Sequence, residues 1–175
     1  MAPKDILRML EGGDRRSIGR ANRVAAIVAK DAALFPRLIE GLWSEDSLVR
    51  MRAADAAEKV TRQHPEWLRR YKREILGRMA EAEEIEVQWH LAAMITRLPL
   101  TRGERKEAAG QLTRYLESRS SIVRISALQA LVEISRGHAE MRPRVRETLR
   151  EALRTGTAAM RARSRKLLAV LETDE

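Results

Sequence analysis

Two neighbouring aromatic side chains, Trp89 and His90, are the residues of this chain best suited to chemistry, together with the carboxylates Asp55 and Glu133. An indole face beside guanidinium groups such as Arg52 and Arg97 can stack a nucleobase. A histidine or carboxylate can move a proton if it comes within hydrogen-bond reach of a reacting group. Each residue also has a plainer reading. Trp89 stands where Met51 and Ile125 stand in related segments, so an apolar spacer between helices is preferred. His90 has no second ligand at metal spacing, since His64 and His138 fall in other breaks, and no metal site is expected. Asp55 lies between Arg52 and Lys59 and reads as their ion-pair partner. The densest run of one sign, Arg161, Arg163, Arg165 and Lys166, suits a phosphate or an acidic protein, and equally a solvated end face. There is no cysteine, hence no disulfide framework and no thiolate chemistry. No catalytic residue and no cofactor is expected, and the chain reads as non-enzymatic.

These side chains ride on a segment that recurs. SIVRISALQALVEI at 121–134 returns in degraded form at 47–60, 85–98 and 158–171. The copies align Val49, Val87, Val123 and Met160, which are 38, 36 and 37 residues apart. A fixed period of this size marks a repeat array. Between the copies, apolar residues at helical spacing alternate with Gly, Pro and capping residues. Helices are predicted over 3–11, 17–30, 32–43, 47–63, 66–80, 85–98, 102–117, 121–134, a stretch opened by Pro143, and 158–171. One helix pair cannot bury its own apolar stripe, whereas stacked pairs bury it continuously. No linker divides the array, so residues 1–175 read as one domain, with a capping helix at 3–11, repeats over 17–171 and a frayed tail at 172–175.

Turning 100° per residue from the aligned residue sorts the faces. Positions four, seven, eight and eleven further on form the core: Ala53, Ala56, Ala57 and Val60 in one copy, Ala127, Ala130, Leu131 and Ile134 in another. Positions three, six and ten further on form a polar strip. It comprises Arg52, Asp55 and Lys59, then His90, Ala93 and Arg97, then Ser126, Gln129 and Glu133, then Arg163, Lys166 and Val170, mostly polar. The strip is expected to floor an open groove, with Trp89 at its rim.

The run from Leu42 through Val49, Arg50, Ala53, Ala54, Ala56 and Ala57, and that from Leu116 through Val123, Arg124, Ala127, Leu128, Ala130 and Leu131, resemble the HEAT repeat, especially its short bacterial, PBS-lyase-type form. The third copy departs with Gln88, the last with Met160, Ser164 and Arg165. The resemblance implies an all-α fold, a right-handed α-α superhelix (a HEAT-like solenoid) of about four to five helix pairs. It further implies that the Val-Arg helices line the concave side and bind a macromolecule there, and that Arg50, Arg124 and Arg161 brace the turns. HEAT-like repeats also form alkylpurine DNA glycosylases, which use a concave tryptophan and a carboxylate. Trp89 lacks a carboxylate one turn on, where Ala93 stands, so that activity is the weakest alternative.

The formal net charge of +9 raises nucleic acid as a partner. Acidic and basic residues are interleaved along most helices, however, which is the pattern of solvated faces. Asp55 and Glu133 interrupt the strip, and Gln129 leaves its middle neutral. The expected partner is therefore a protein, with nucleic acid as the alternative, and the expected state is a monomer. No apolar run is long enough for a membrane span, so the chain reads as cytoplasmic with no membrane partner.

Overall fold

Nine α-helices and five short 3-10 turns make up the regular structure of residues 5–173, the part described by the computed structural model, and no strand occurs among them. Residues 3 and 4 of the expected capping helix and residues 174 and 175 of the tail lie outside the described residues. Among the described residues no helix is long and apolar enough to cross a membrane. The chain divides into two compact units at Pro99.

The first unit contains α1 (Ala21–Val28), α2 (Phe35–Glu40), α3 (Ser47–Gln63), α4 (Lys72–Glu81) and α5 (Ile85–Ile95). Helix α3 is its centre and packs against α1, α2 and α5. Its start is set by Asp46, whose Oδ1 accepts the amide of Leu48 at 2.8 Å. Small residues let its neighbours come close: Ala53, Ala54, Ala56 and Ala57 are wholly buried. The matching positions of α5, Leu91, Met94 and Ile95, are also wholly buried.

The second unit contains α6 (Arg102–Tyr115), α7 (Ser121–Ser135), α8 (Arg142–Thr155) and α9 (Ala158–Thr173). Thr101 and Glu104 close a reciprocal capping box at the start of α6. Ser120 caps α7, and Thr157 accepts the amide of Met160 at the start of α9. Helix α7 packs on α6, α8 and α9. Ala127, Ala130, Leu131 and Ile134 are buried, and so are Leu167 and Leu171 on α9, whereas Leu168 is only half-buried.

Four expected helices are shorter than their apolar pattern. Among residues 5–11, the described part of the helix expected over 3–11, there is a single 3-10 turn, Arg8–Leu10. The helix expected from residue 17 begins at Ala21, because Gly19 takes a left-handed φ of 52° and Ser17 and Asp14 hold local turns instead of capping. The helices expected over 32–43 and 66–80 are wound partly as 3-10 turns, at Ala32–Leu34, Gly41–Trp43 and Pro65–Tyr71. The last of these carries Trp67 and Tyr71 edge-on to Phe35, with ring centroids 5.5 and 5.6 Å away.

Candidate functional site

In the first unit the polar strip lies between packed elements, and much of it is closed. Arg52 is 2 % exposed. All five of its N–H groups donate to main-chain carbonyls: Leu10, Gly12, Asp14 and, twice, Ser17, at 2.6 to 3.2 Å. Its guanidinium lies so close to Gly19 that a Cβ there would stand 2.7 Å from Cζ. The N-terminal segment therefore wraps Arg52, and the side chain is a peg for that segment, with no donor left for a ligand.

One turn on, Asp55 is 7 % exposed and receives Lys59 Nζ at 2.6 Å. The same ammonium donates to Asn22 Oδ1 on α1, also at 2.6 Å. Asp55 Oδ1 lies 3.5 Å from Nε2 of His90 on α5. His90 is 2 % exposed, its ring is covered by Trp89 at a centroid distance of 3.6 Å, and its Nδ1 has no partner among the described residues. Trp89 itself is half-buried. Asp55, Lys59, Trp89 and His90 are thus brought together, as a seam between α3 and α5.

Burial of the His90 ring pushes its pKa down to about 4, against the upward pull of Asp55 and Glu58 and with a further downward push from Lys59 and Arg62. The group is neutral at pH 7. Between its ordinary pKa of 6.5 and about 4, the unfolded chain takes up a proton that the folded chain refuses, so stability falls as pH falls through that window. At 1.36 kcal/mol per unit the full loss is about 3 kcal/mol. Urea unfolding midpoints should therefore drop from pH 7 to pH 4.5 in the native protein. The drop should be visibly shallower in His90→Gln, and equal slopes in the two proteins would refute this account.

The same seam contains a carboxylate that the helical period alone does not reveal. Glu58 is 1 % exposed and is held by Arg62 from its own helix, at 2.8 and 2.6 Å, and by Arg97, at 2.5 Å. Arg97 also donates to the Glu58 carbonyl and to Thr61 Oγ1. Burial raises the Glu58 pKa, but the hydrogen bonds from Arg62 and Arg97 outweigh it and hold the carboxyl below its ordinary value. The sequence signal was available only in part: Glu58 and Arg62 are four residues apart, a spacing that permits pairing on any helix.

In the second unit the strip is shallower. Gln129 and Glu133 on α7 and Arg163 on α9 are half-buried, and Lys166 is exposed. Arg163 donates to Gln129 Oε1, and Gln129 Nε2 donates to Glu133 Oε1 at 2.8 Å. Glu133 also meets Arg136 at 3.1 Å.

The three repeat arginines sit at their turns. Arg50 donates to the carbonyls of Ser44 and Glu45 and to the carboxylate of Glu84. Arg161 donates to the carbonyl of Gly156 at 2.8 Å. Among the described residues Arg124 reaches only Ser121 Oγ, at 3.5 Å, and its Nε is buried without a partner. Glu84 is shared: Arg78 reaches its other oxygen at 3.2 Å and also donates to the Leu42 carbonyl at 2.8 Å.

A different surface carries open space. Within the second unit, α6 and α8 both lie on α7 and leave a groove of about 760 Å³ between them. Leu131 of α7 is at its floor, with Ala109 and Val145 along the walls. Arg102, Lys106 and Arg144 line its edges, and none of the three has a hydrogen bond or ion pair among the described residues. Gly103 and Gly110 of α6 also line it, and an added Cβ at either would meet nothing within 4 Å. Two glycines seven residues apart inside a helix, where glycine is unfavourable, were the sequence signal for this surface.

Among the described residues no group of three or more His, Cys, Asp or Glu side chains is placed to hold a metal ion. Compared with models of known protein families the chain matches none, and no curated protein matches it.

Proposed function

We propose that this protein is a non-enzymatic scaffold of the HEAT-like kind, a monomeric cytoplasmic right-handed superhelix of helix pairs whose role is to bind another protein. One contrast supports this reading over nucleic-acid binding. Four of the five cations of the polar strip are engaged with the protein's own groups, Arg52 with carbonyls, Lys59 with Asp55, Arg97 with Glu58 and Arg163 with Gln129, and Lys166 alone of the five is exposed. Cations without internal partners instead flank an apolar groove, a kind of surface suited to protein side chains. A nucleic-acid binder needs the opposite, a line of unengaged cations that can release counterions from successive phosphates.

Fluorescence anisotropy with labelled duplex and single-stranded oligonucleotides at low and physiological salt tests this. The expected result is binding at low salt that disappears at physiological salt, as for any protein with net charge +9. Affinity capture after nuclease treatment should still retain protein partners. Oligonucleotide binding that survives physiological salt and weakens in Arg97→Ala and Arg163→Ala would replace the scaffold reading with the nucleic-acid one.

A further inference from the structure

The groove between α6 and α8 has features that specify an occupant. Gly103 and Gly110 are two turns apart and share one side of α6. Neither has a positive φ, so the helix does not require glycine at either place. Their effect is a bare stretch of helix backbone facing open space, where a second helix can approach closely. The floor beneath is apolar, with Leu131 and Val145 between the banks. The lining runs from Arg102 to Thr113 along α6, about 17 Å at the helical rise, which is about three turns. An amphipathic helix of that length presents a row of apolar side chains at i, i+3, i+4 and i+7 to such a groove.

The banks decide the charge of the helix. Arg102 and Lys106 are one turn apart on α6, and Arg144 lies on α8 opposite. All three are exposed. Arg105, by contrast, points its donors at the carbonyls of Leu100 and Ile134 and takes no part. One acid, Glu140, lines the groove. A helix lying here meets positive charge on both flanks, so its own flanks must be acidic. A second copy of this chain is a poor occupant because two bodies of charge +9 repel. A nucleic acid would leave the apolar floor unfilled.

We propose that the α6–α8 groove docks an acidic amphipathic helix of a partner protein, its apolar row on Leu131 and Val145, its backbone against Gly103 and Gly110, and its carboxylates on Arg102, Lys106 and Arg144. The proposal rests on the scaffold reading and names the class of partner.

The probes are labelled peptides of about four turns, long enough to cover the groove. The acidic probe carries Leu, Ile or Phe at i, i+3, i+4 and i+7 and Glu elsewhere. One comparator replaces Glu by Lys, and another scrambles the order to destroy the helical period. Anisotropy at physiological salt on the full chain should show saturable binding of the acidic probe, with both comparators at least about tenfold weaker. Gly110→Leu fills the open space without straining α6 and should weaken the acidic probe by about tenfold or more. Arg144→Glu, a surface change that leaves the fold intact, should do the same through charge. Lys30→Glu, in the first unit, should change nothing.

Equal binding of the three peptides, no saturable binding of the acidic probe, or an unaffected Gly110→Leu protein would each overturn the proposal. So would a concentration-dependent dimer in sedimentation velocity that Gly110→Leu abolishes, since the occupant would then be a second copy. An oligonucleotide that displaces the probe at physiological salt would sink the scaffold reading itself. Failure of the probe together with failure of the oligonucleotides would sink the groove assignment alone.

Discussion

Replacing Arg52 with methionine should lower the unfolding free energy by about 3 kcal/mol, as expected when a buried charged group is taken away from the partners it satisfies. Methionine keeps an apolar stem at this position of α3, so the loss reports the guanidinium rather than a cavity. Four carbonyls, those of Leu10, Gly12, Asp14 and Ser17, lose their donor. Leu10 is buried, whereas residues 11–20 are exposed. The Leu10 carbonyl, enclosed where it meets Arg52, can therefore recover water only if the segment lifts away. The variant should show both a lower urea midpoint and faster tryptic cleavage after Arg15 and Arg16. Arg52→Lys should fall between the two, because one ammonium cannot span carbonyls that a five-donor fork reaches together. An Arg52→Met protein with native midpoint and native cleavage would rule out the peg assigned to this side chain.

The second large effect belongs to Glu58. Glu58→Ala should cost about 3 kcal/mol, because Arg97, half-buried against α3, loses its carboxylate in a region poor in water. If the ion pair is held by mutual need rather than by net stabilisation, Glu58→Leu combined with Arg97→Met should recover much of that loss. The double-mutant cycle in urea measures this directly. A double variant as unstable as the sum of its single changes would mean that the two groups are not coupled. The pH dependence has the opposite origin from that of His90 but the same sign. The folded Glu58 carboxyl titrates below its ordinary value, so its stabilisation is complete above the unfolded pKa of about 4.3 and is lost as pH falls through the lower folded value.

The helices were legible where local signals agreed. Asp46 caps α3, Thr101 and Glu104 box the start of α6, and the apolar period put Ala53, Ala57, Leu91 and Leu131 inside. What the period could not tell is what covers the remaining side of a helix. It placed Arg52, Asp55 and His90 together on one polar strip, and it could not show that residues 10–17 fold over the first or that Trp89 lies on the third. Those contacts join residues up to 42 positions apart, as between Arg52 and Leu10. The same limit hid Glu58, whose second partner, Arg97, is 39 positions away. A buried acid and an exposed acid look alike in a sequence until the distant cation that neutralises one of them is in place. The groove was missed for a different reason. It is made of what α6 lacks, two side chains at Gly103 and Gly110, and a hydrophobic pattern records only what is present.

Glu84 has a consequence for the order in which the chain is assembled. Its carboxylate is clasped by Arg50 and Arg78, both of which leave the ribosome before it. In a fragment that ends before residue 84 and keeps this fold, Arg50 and Arg78 would face the same space without their shared anion. Such a fragment would carry a like-charge repulsion that one added residue removes. Glu84 acts as a keystone laid after the arch it closes, so a fragment ending just before it is a poorer domain than one ending just after.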